Sequence, residues 1–395
     1  MWNSMRIGLI SHEGGGISSV SYGLASSLAK KKVHVTIFTG SPKTNYQVER
    51  RGDYLDIVRL PVFDFPPRPL WFQILNSSRM SKMLAEYTVI HGVSPEASFG
   101  FTFFRSKLKK AFVATVHGSA RAFQREFIHS PVTSWTLSDF GNHIVEFPFH
   151  DLATNRCLVN SDHAVVCSYT ALGEIAAYTK LNMDKTSVIY NGVDFSEIDR
   201  PGDSEINRDN KSIIFAGRLV WTKGVMFLLQ AFRKVIQESK DAELRIFGKG
   251  PMENNIRRFI SNYRLGKSVR LFGRISHKDL IAEIKKSDVA VLPSLYEAQP
   301  MFALEAMACK KPVVVFDFPY ARELVTDMKT GVLCKTCNSI DLAEKISLLL
   351  SDENLRRRLG QMAYDYVSEN HDWDIQAEKY IEVYEETLEK TSQIE

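Results

Sequence analysis

The chain has 395 residues, 44% of them hydrophobic and 24% charged, which excludes a disordered, collagen-like or rod-like protein and fits two domains of about 150–200 residues each. A formal charge of +4, from 50 Lys and Arg against 46 Asp and Glu, is too small to argue for nucleic acid as a partner and suits a small anionic ligand. No run of about 18 apolar residues is present, and the opening residues lack the apolar stretch and cleavage site of a signal peptide, so the expected location is the cytoplasm.

Taken in order, the chain alternates short β-branched runs with amphipathic stretches, the pattern of parallel α/β layers. A strand is expected over Arg6–Ser11, then the glycine loop Gly14-Gly15-Gly16 behind Glu13, a helix from Ser18 to about Lys31 and a strand over Val33–Phe38. Further strands are expected at Leu55–Leu60, Val89-Ile90, Ala111–Val116, Ala164–Val166 and Ser187–Tyr190. Asn191-Gly192-Val193-Asp194 reads as a turn, and the polar stretch after it, with Pro201 and Gly202, reads as a linker. The same alternation restarts with strands at Ser212–Ala216, Glu243–Phe247, Val269–Phe272, Val289–Leu292 and Pro312–Phe316. Between the first two lies a helix carrying Val225, Leu228, Leu229, Phe232 and Val235 on one face. Consecutive helices over Leu342–Leu350, Leu355–Val367 and Ile375–Leu388 end the chain. The division expected is a first domain over 1–198, a linker over 199–210, a second domain over 211–372 and a final helix over 373–395. Two such halves predict a cleft fed by the carboxyl ends of strands.

The candidate chemistry lies where strands end. Glycines between the first strand and helix let backbone amides approach an anion, though a tight turn reads equally well. Arg218 and Lys223 flank the turn after Ser212–Ala216; a guanidinium fork and an ammonium can converge on a phosphate, or both can be solvated surface cations. Glu297 falls in the loop before a helix from about Met301 to Cys309, with Pro300 suited to its first turn. Glu305 lies about two turns inside that helix among Leu304, Ala306 and Met307. Carboxylates in such places can accept paired hydrogen bonds from sugar hydroxyls; the simpler roles are a helix cap for Glu297 and a structural salt bridge for Glu305. His117 and His91 each end a strand, as a cleft-facing group or a backbone-bonded one. Asp372-Trp373-Asp374 looks like a metal clamp, but it precedes a helix, where Asp is a routine cap, so no metal is assigned. Five cysteines, with Cys334 and Cys337 as a lone pair at C-x-x-C spacing, are read as reduced and structural.

Together these pieces resemble the retaining GT-B glycosyltransferases of family 4 over nearly the whole chain, most clearly from Ser212 to about Val367. The most specific element is the pair Glu297 and Glu305 with seven residues between them, followed by Ala306-Met307-Ala308-Cys309 and Lys311-Pro312-Val313-Val314. Phe215-Ala216-Gly217-Arg218-Leu219, Lys223-Gly224, Phe247-Gly248-Lys249-Gly250-Pro251 and Arg322-Glu323-Leu324-Val325 support it. The resemblance implies two Rossmann-like domains facing each other across a cleft, with the final helix crossing back to the first domain. It implies a nucleotide-sugar donor, no cofactor, and transfer of a hexose to a carbohydrate or lipid-linked acceptor. Arg218 and Lys223 would bind the donor diphosphate, Glu305 the ribose and Glu297 the transferred sugar. Met301 and Phe302 would offer backbone amides, Gly248, Lys249 and Ile275 would flank the base, Gly15 and Gly16 would close over the diphosphate, and His117 would lie beside the reacting carbon. Ala298-Gln299-Pro300 departs from the frequent Gly-x-Gly, and Lys310 stands where Gly is common. A nucleotide-sugar epimerase and a non-catalytic nucleotide-sugar binder are the competing readings. The aromatic segment Phe63–Phe72 and the basic one from Phe101 to Lys110 are read first as a packed loop and an ordinary helix, and second as peripheral contact with an anionic inner-membrane face.

Overall fold

The computed structural model describes residues 5–12, 15–42, 46–64, 68–128, 147–199 and 211–393. Glu13, Gly14, Phe65, Pro66, Pro67, Pro201, Gly202 and nearly all of the expected linker lie outside the described residues. The chain divides into two compact units. The first takes the described residues through Gln124, those from 147 to Gly192 and those from Trp373 onward; the second takes Val193–Asp372 together with residues 125–128. Residues 193–198 pack with the second unit: the Val193 amide donates to the His371 carbonyl at 2.7 Å, and Ile198 enters that unit's core.

The first unit is an eight-stranded sheet. Its strands are β1 (Arg6–Ile10), β2 (His34–Ser41), β3 (Gln47–Arg50), β4 (Leu55–Pro61), β5 (Val89–Gly92), β6 (Ala111–Val116), β7 (His163–Val166) and β8 (Thr186–Val188), in the order β3-β4-β2-β1-β5-β6-β7-β8. Every pairing is parallel except β3 with β4. Ala111–Val116 is buried along its whole length, as a strand covered on both faces requires. Helix α1 (Gly15–Lys30) follows β1, α2 (Arg68–Met83) follows β4, and α3 (Phe147–Asn160) precedes β7. The final helix, Trp373–Ser392, packs on α1 and β6. Its first residue explains two glycines: a Cβ at Gly23 or at Gly192 would collide with the Trp373 indole.

The second unit is a six-stranded parallel sheet. Its strands are β9 (Ser212–Ala216), β10 (Glu243–Phe247), β11 (Val269–Gly273), β12 (Val289–Leu292), β13 (Val313–Phe316) and β14 (Val332–Cys334), in the order β11-β10-β9-β12-β13-β14. Helices α4 (Phe195–Ile198), α5 (Val225–Glu238), α6 (His277–Lys285), α7 (Met301–Ala308) and α8 (Glu353–Asn370) position the site. The expected apolar face of α5 is the buried one, with Val225, Leu228, Leu229, Phe232 and Val235 in the core.

Each sheet reverses its order once, between β1 and β5 in the first unit and between β9 and β12 in the second. At such a point the loops leaving the two central strands diverge, and a crevice opens outside their carboxyl ends. Arg218 follows β9 and Glu297 follows β12; His12 follows β1 and Glu96 follows β5.

Candidate active site

In the second unit the loops after β9, β10 and β11 are joined backbone to backbone. The Gly217 amide donates to Phe247 at 3.0 Å, Leu219 to Lys249 at 3.0 Å and Gly248 to Gly273 at 2.7 Å. Gly248 has φ +132°, and a Cβ there would strike the Gly217 carbonyl. The loop after β9 is fixed to the loop after β12 as well: Leu295 donates to the Thr222 carbonyl at 2.7 Å. Gly224, at φ +65°, approaches the Pro293 carbonyl closely enough to exclude a Cβ.

This stitching brings Lys223 and Glu297 together. Lys223 Nζ lies 2.5 Å from Glu297 Oε1, and the Ser294 hydroxyl donates to the same oxygen at 2.8 Å. Ser294 is itself held through its carbonyl, which accepts from the buried Tyr320 hydroxyl at 2.8 Å. Glu297 therefore does not cap the helix. Pro300 occupies the cap position of α7 with no side-chain bond, and the amides of Met301 and Phe302 have no partner among the described residues. Free amides at a helix start favour an anion. Arg218 is exposed and carries no ion pair among the described residues. Lys249 is exposed and Ile275 half-buried in the neighbouring loops.

Glu305 is the fifth residue of α7, one turn from its start rather than the two expected from sequence. It is 6% exposed, and its Oε1 lies 3.0 Å from Nε2 of His277, whose Nδ1 lies 3.3 Å from Oε2 of Glu197. The hydrogen bond to Glu305, opposed by burial and helped by the charges of both carboxylates, raises the imidazole pKa. His277, Ser294, Glu197 and Tyr320 were not singled out from sequence. Ser276-His277-Lys278-Asp279 does carry a legible signal, since Ser276 caps α6 at the Asp279 amide at 3.2 Å. Gln299, in the departure from Gly-x-Gly, reaches His371 Nδ1 at 3.2 Å.

In the first unit α1 starts at Gly15, and a Cβ at Gly16 would meet nothing within 4 Å. His117 follows β6, and burial above all lowers its pKa to about 4; its Nε2 is buried without a partner among the described residues. Around the same strand ends, His12 Nδ1 lies 3.2 Å from the Ser94 hydroxyl, and His150 on α3 pairs with Glu96. Burial acts to raise the Glu96 carboxyl, but the charge and hydrogen bond of His150, with His12 beyond, hold it down at about 2. Its Oε2 is buried without a partner among the described residues. His91 differs from the strand-end role expected of it. It lies within β5, fully buried, bonded to the Tyr384 and Thr115 hydroxyls at 2.7 Å each.

Asp374, half of the apparent metal clamp, accepts from the Ser27 hydroxyl of α1. All five cysteines are free thiols. The two segments divide: Phe72 and Phe101 are buried, whereas Phe63 and Phe103 are exposed, as are Ile74 and Leu75 just beyond the first segment. No described helix is long and apolar enough to cross a membrane.

Two family models match in tandem: Glycosyltransferase Family 4 over residues 14–197 and Glycosyl transferases group 1 over residues 197–366. The N,N'-diacetylbacillosaminyl-diphospho-undecaprenol alpha-1,3-N-acetylgalactosaminyltransferase of Campylobacter jejuni is 26% identical, over 97% of this chain and 99% of its own. Other curated relatives align over less of themselves; the chain spans 61% of one and 54% of another. Sucrose-phosphate synthase from Thermosynechococcus elongatus superposes with a TM-score of 0.82 at 22% identity, over 97% of this chain and 98% of that one. Anabaena HepE, solved with UDP and glucose, gives 0.73 at 18% identity, over 97% and 100%. The chain is a glycosyltransferase of family 4 with the GT-B fold.

Proposed function

We propose that the protein moves a hexose, with retention and without a metal, from a nucleoside-diphosphate sugar to a hydroxyl of a carbohydrate or lipid-linked acceptor. The observation that carries this reading is the set of groups on the loops that leave β9 and β12 at the order reversal of the second sheet. Among the described residues Arg218 has no ion pair and the first amides of α7 have no partner, while Lys223 is held by Glu297. Departure of a nucleoside diphosphate builds negative charge on its phosphates, and a guanidinium, an ammonium and helix amides neutralise it with no ion required. In this reading Lys223 turns from Glu297 to the phosphate, and Glu297 is released to the hydroxyls of the transferred sugar. Retention by front-face substitution suits this assignment: Glu297 is given to the sugar hydroxyls and Glu305, held by His277, to the ribose, which leaves neither as the nucleophile. UDP is the favoured nucleotide, on the precedent of HepE. The Campylobacter relative, whose name carries an undecaprenol diphosphate, supports a lipid-linked acceptor. The exposed Ile74, Leu75 and Phe103 would meet the membrane surface that presents it.

A donor screen tests the proposal. UDP-, GDP- and ADP-sugars are compared by nucleotide release and thermal shift, and one class is expected to bind and turn over slowly in water. Arg218→Ala and Lys223→Ala are each expected to lower turnover about 100-fold or more. If both variants match the parent rate, the diphosphate assignment is wrong. Failure to sediment with anionic phosphatidylglycerol vesicles removes the membrane contact alone.

A further inference from the structure

The two glutamates of the site are restrained in different ways. Glu297 has its Oε1 taken by two donors, a lysine and a serine. Glu305 has its Oε1 taken by one, His277 Nε2 at 3.0 Å, and its Oε2 has no partner among the described residues. The imidazole is fixed from its far side by Glu197, 3.3 Å from Nδ1. A ring with a carboxylate at each nitrogen is satisfied only when both nitrogens carry hydrogen, because carboxylates accept and do not donate. His277 thus lies between a carboxylate of α4 and one of α7, and among the described residues Glu305 is a carboxylate with one oxygen fixed and the other unclaimed.

We propose that His277 is a positioning residue for the donor nucleotide. It pins Oε1 of Glu305 so that Oε2 is the oxygen offered to the ribose hydroxyls, with Glu197 holding the ring in register. This rests on the donor-site reading above and adds a residue to it. A freely rotating carboxylate on α7 would lose side-chain entropy on meeting a ribose, whereas one already fixed loses little. The contribution of His277 therefore appears in recognition of the ribose, and not in the chemistry at the anomeric carbon.

The test measures binding of UDP, 2′-deoxy-UDP and 3′-deoxy-UDP by calorimetry, with the GDP and ADP series beside them. The full chain is compared with His277→Ala, His277→Gln, Glu305→Gln and the double variant His277→Ala/Glu305→Gln. The parent is expected to prefer the ribonucleotide to at least one deoxy form by about tenfold, the scale of one hydrogen bond to a charged group. His277→Ala is expected to cut that preference to about twofold, and His277→Gln, which keeps an N–H donor, to retain part of it. Adding His277→Ala to Glu305→Gln should change nothing further, because the two act as one unit. Donor KM should rise in His277→Ala while kcat stays close to the parent value, a split that general loosening of the fold would not give. If His277→Ala keeps the parent preference with Glu305→Gln losing it, His277 does not position Glu305. A parent that binds UDP, GDP or ADP with no ribose preference overturns the inference and leaves the donor site standing. A parent that binds none of the three overturns both.

Discussion

His91 in the first unit and His277 in the second have the same side chain and the same number of partners, yet their pKa values are shifted in opposite directions. His91 is enclosed by β5, β6 and the final helix, and its partners are two hydroxyls. A hydroxyl can donate or accept, so a neutral ring is satisfied, and burial with His117 nearby lowers its pKa to about 3. His277 is the first residue of α6, where the helix amides oppose a positive charge. Its partners are two carboxylates, and its pKa is raised. Burial sets the direction for His91, whereas for His277 the carboxylate partners outweigh both burial and helix position. The ring between hydroxyls joins structure to structure, whereas the ring between carboxylates leaves a carboxylate oxygen over for something else.

The largest effect expected from this contrast is on stability in the first unit. His91→Ala leaves a cavity and strips the Tyr384 and Thr115 hydroxyls of their buried partner, at a cost of about 3–4 kcal/mol in urea unfolding. A cost below about 1 kcal/mol would break the comparison, since His91 would then be dispensable. The second effect is its pH dependence. The folded pKa near 3 lies below the ordinary 6.5, so the stability that neutral His91 contributes is complete above 6.5 and falls as pH drops toward 3. With His91→Gln, which does not titrate, the advantage of the parent should shrink by about 2 kcal/mol between pH 6.5 and about pH 5. Melting of both proteins across that range measures it; parallel curves would mean that His91 is charged in the folded chain.

The contrast also shows what a sequence exposes. Ala111–Val116, Ser212–Ala216 and Val289–Leu292 were legible to the residue because parallel strands covered on both faces read as nearly continuous apolar runs, and Glu243–Phe247 was legible despite Glu243 and Arg245. Gln47–Arg50 was not legible, since it is a polar antiparallel edge with exposed side chains, and Val332–Cys334 is too short to show a period. Lys223, Glu297 and Glu305 were visible as types at a spacing. Their partners were not, because Lys223 and Glu297 are 74 residues apart in the chain and His277 and Glu305 are 28 apart. Only the sheet order brings them into reach. His91 was misplaced for the same reason: its hydroxyl partner Tyr384 lies 293 residues away on the final helix. Lys310 is a departure that the backbone makes intelligible. It has φ +57° at the end of α7, a conformation that a glycine would adopt without strain, and its ammonium lies 4.7 Å from the Tyr364 ring centre.

The smallest effect is the one that best tests the sign. The pKa of His277 is raised above 6.5, so the stability its charged form contributes is complete below 6.5 and is lost as pH rises through the folded value. His277→Gln should therefore approach the parent in stability on the alkaline side, whereas His91→Gln approaches it on the acid side. The His277 side chain is 45% exposed, and water and salt screen its attraction to Glu197 and Glu305. The gap at pH 6 should then be no more than about 0.5–1 kcal/mol, and should narrow further in about 0.5 M salt. Paired melts at pH 6 and pH 9 decide it. A gap that widens with pH would make His277 a neutral ring like His91, and partner chemistry would no longer explain the difference between the two.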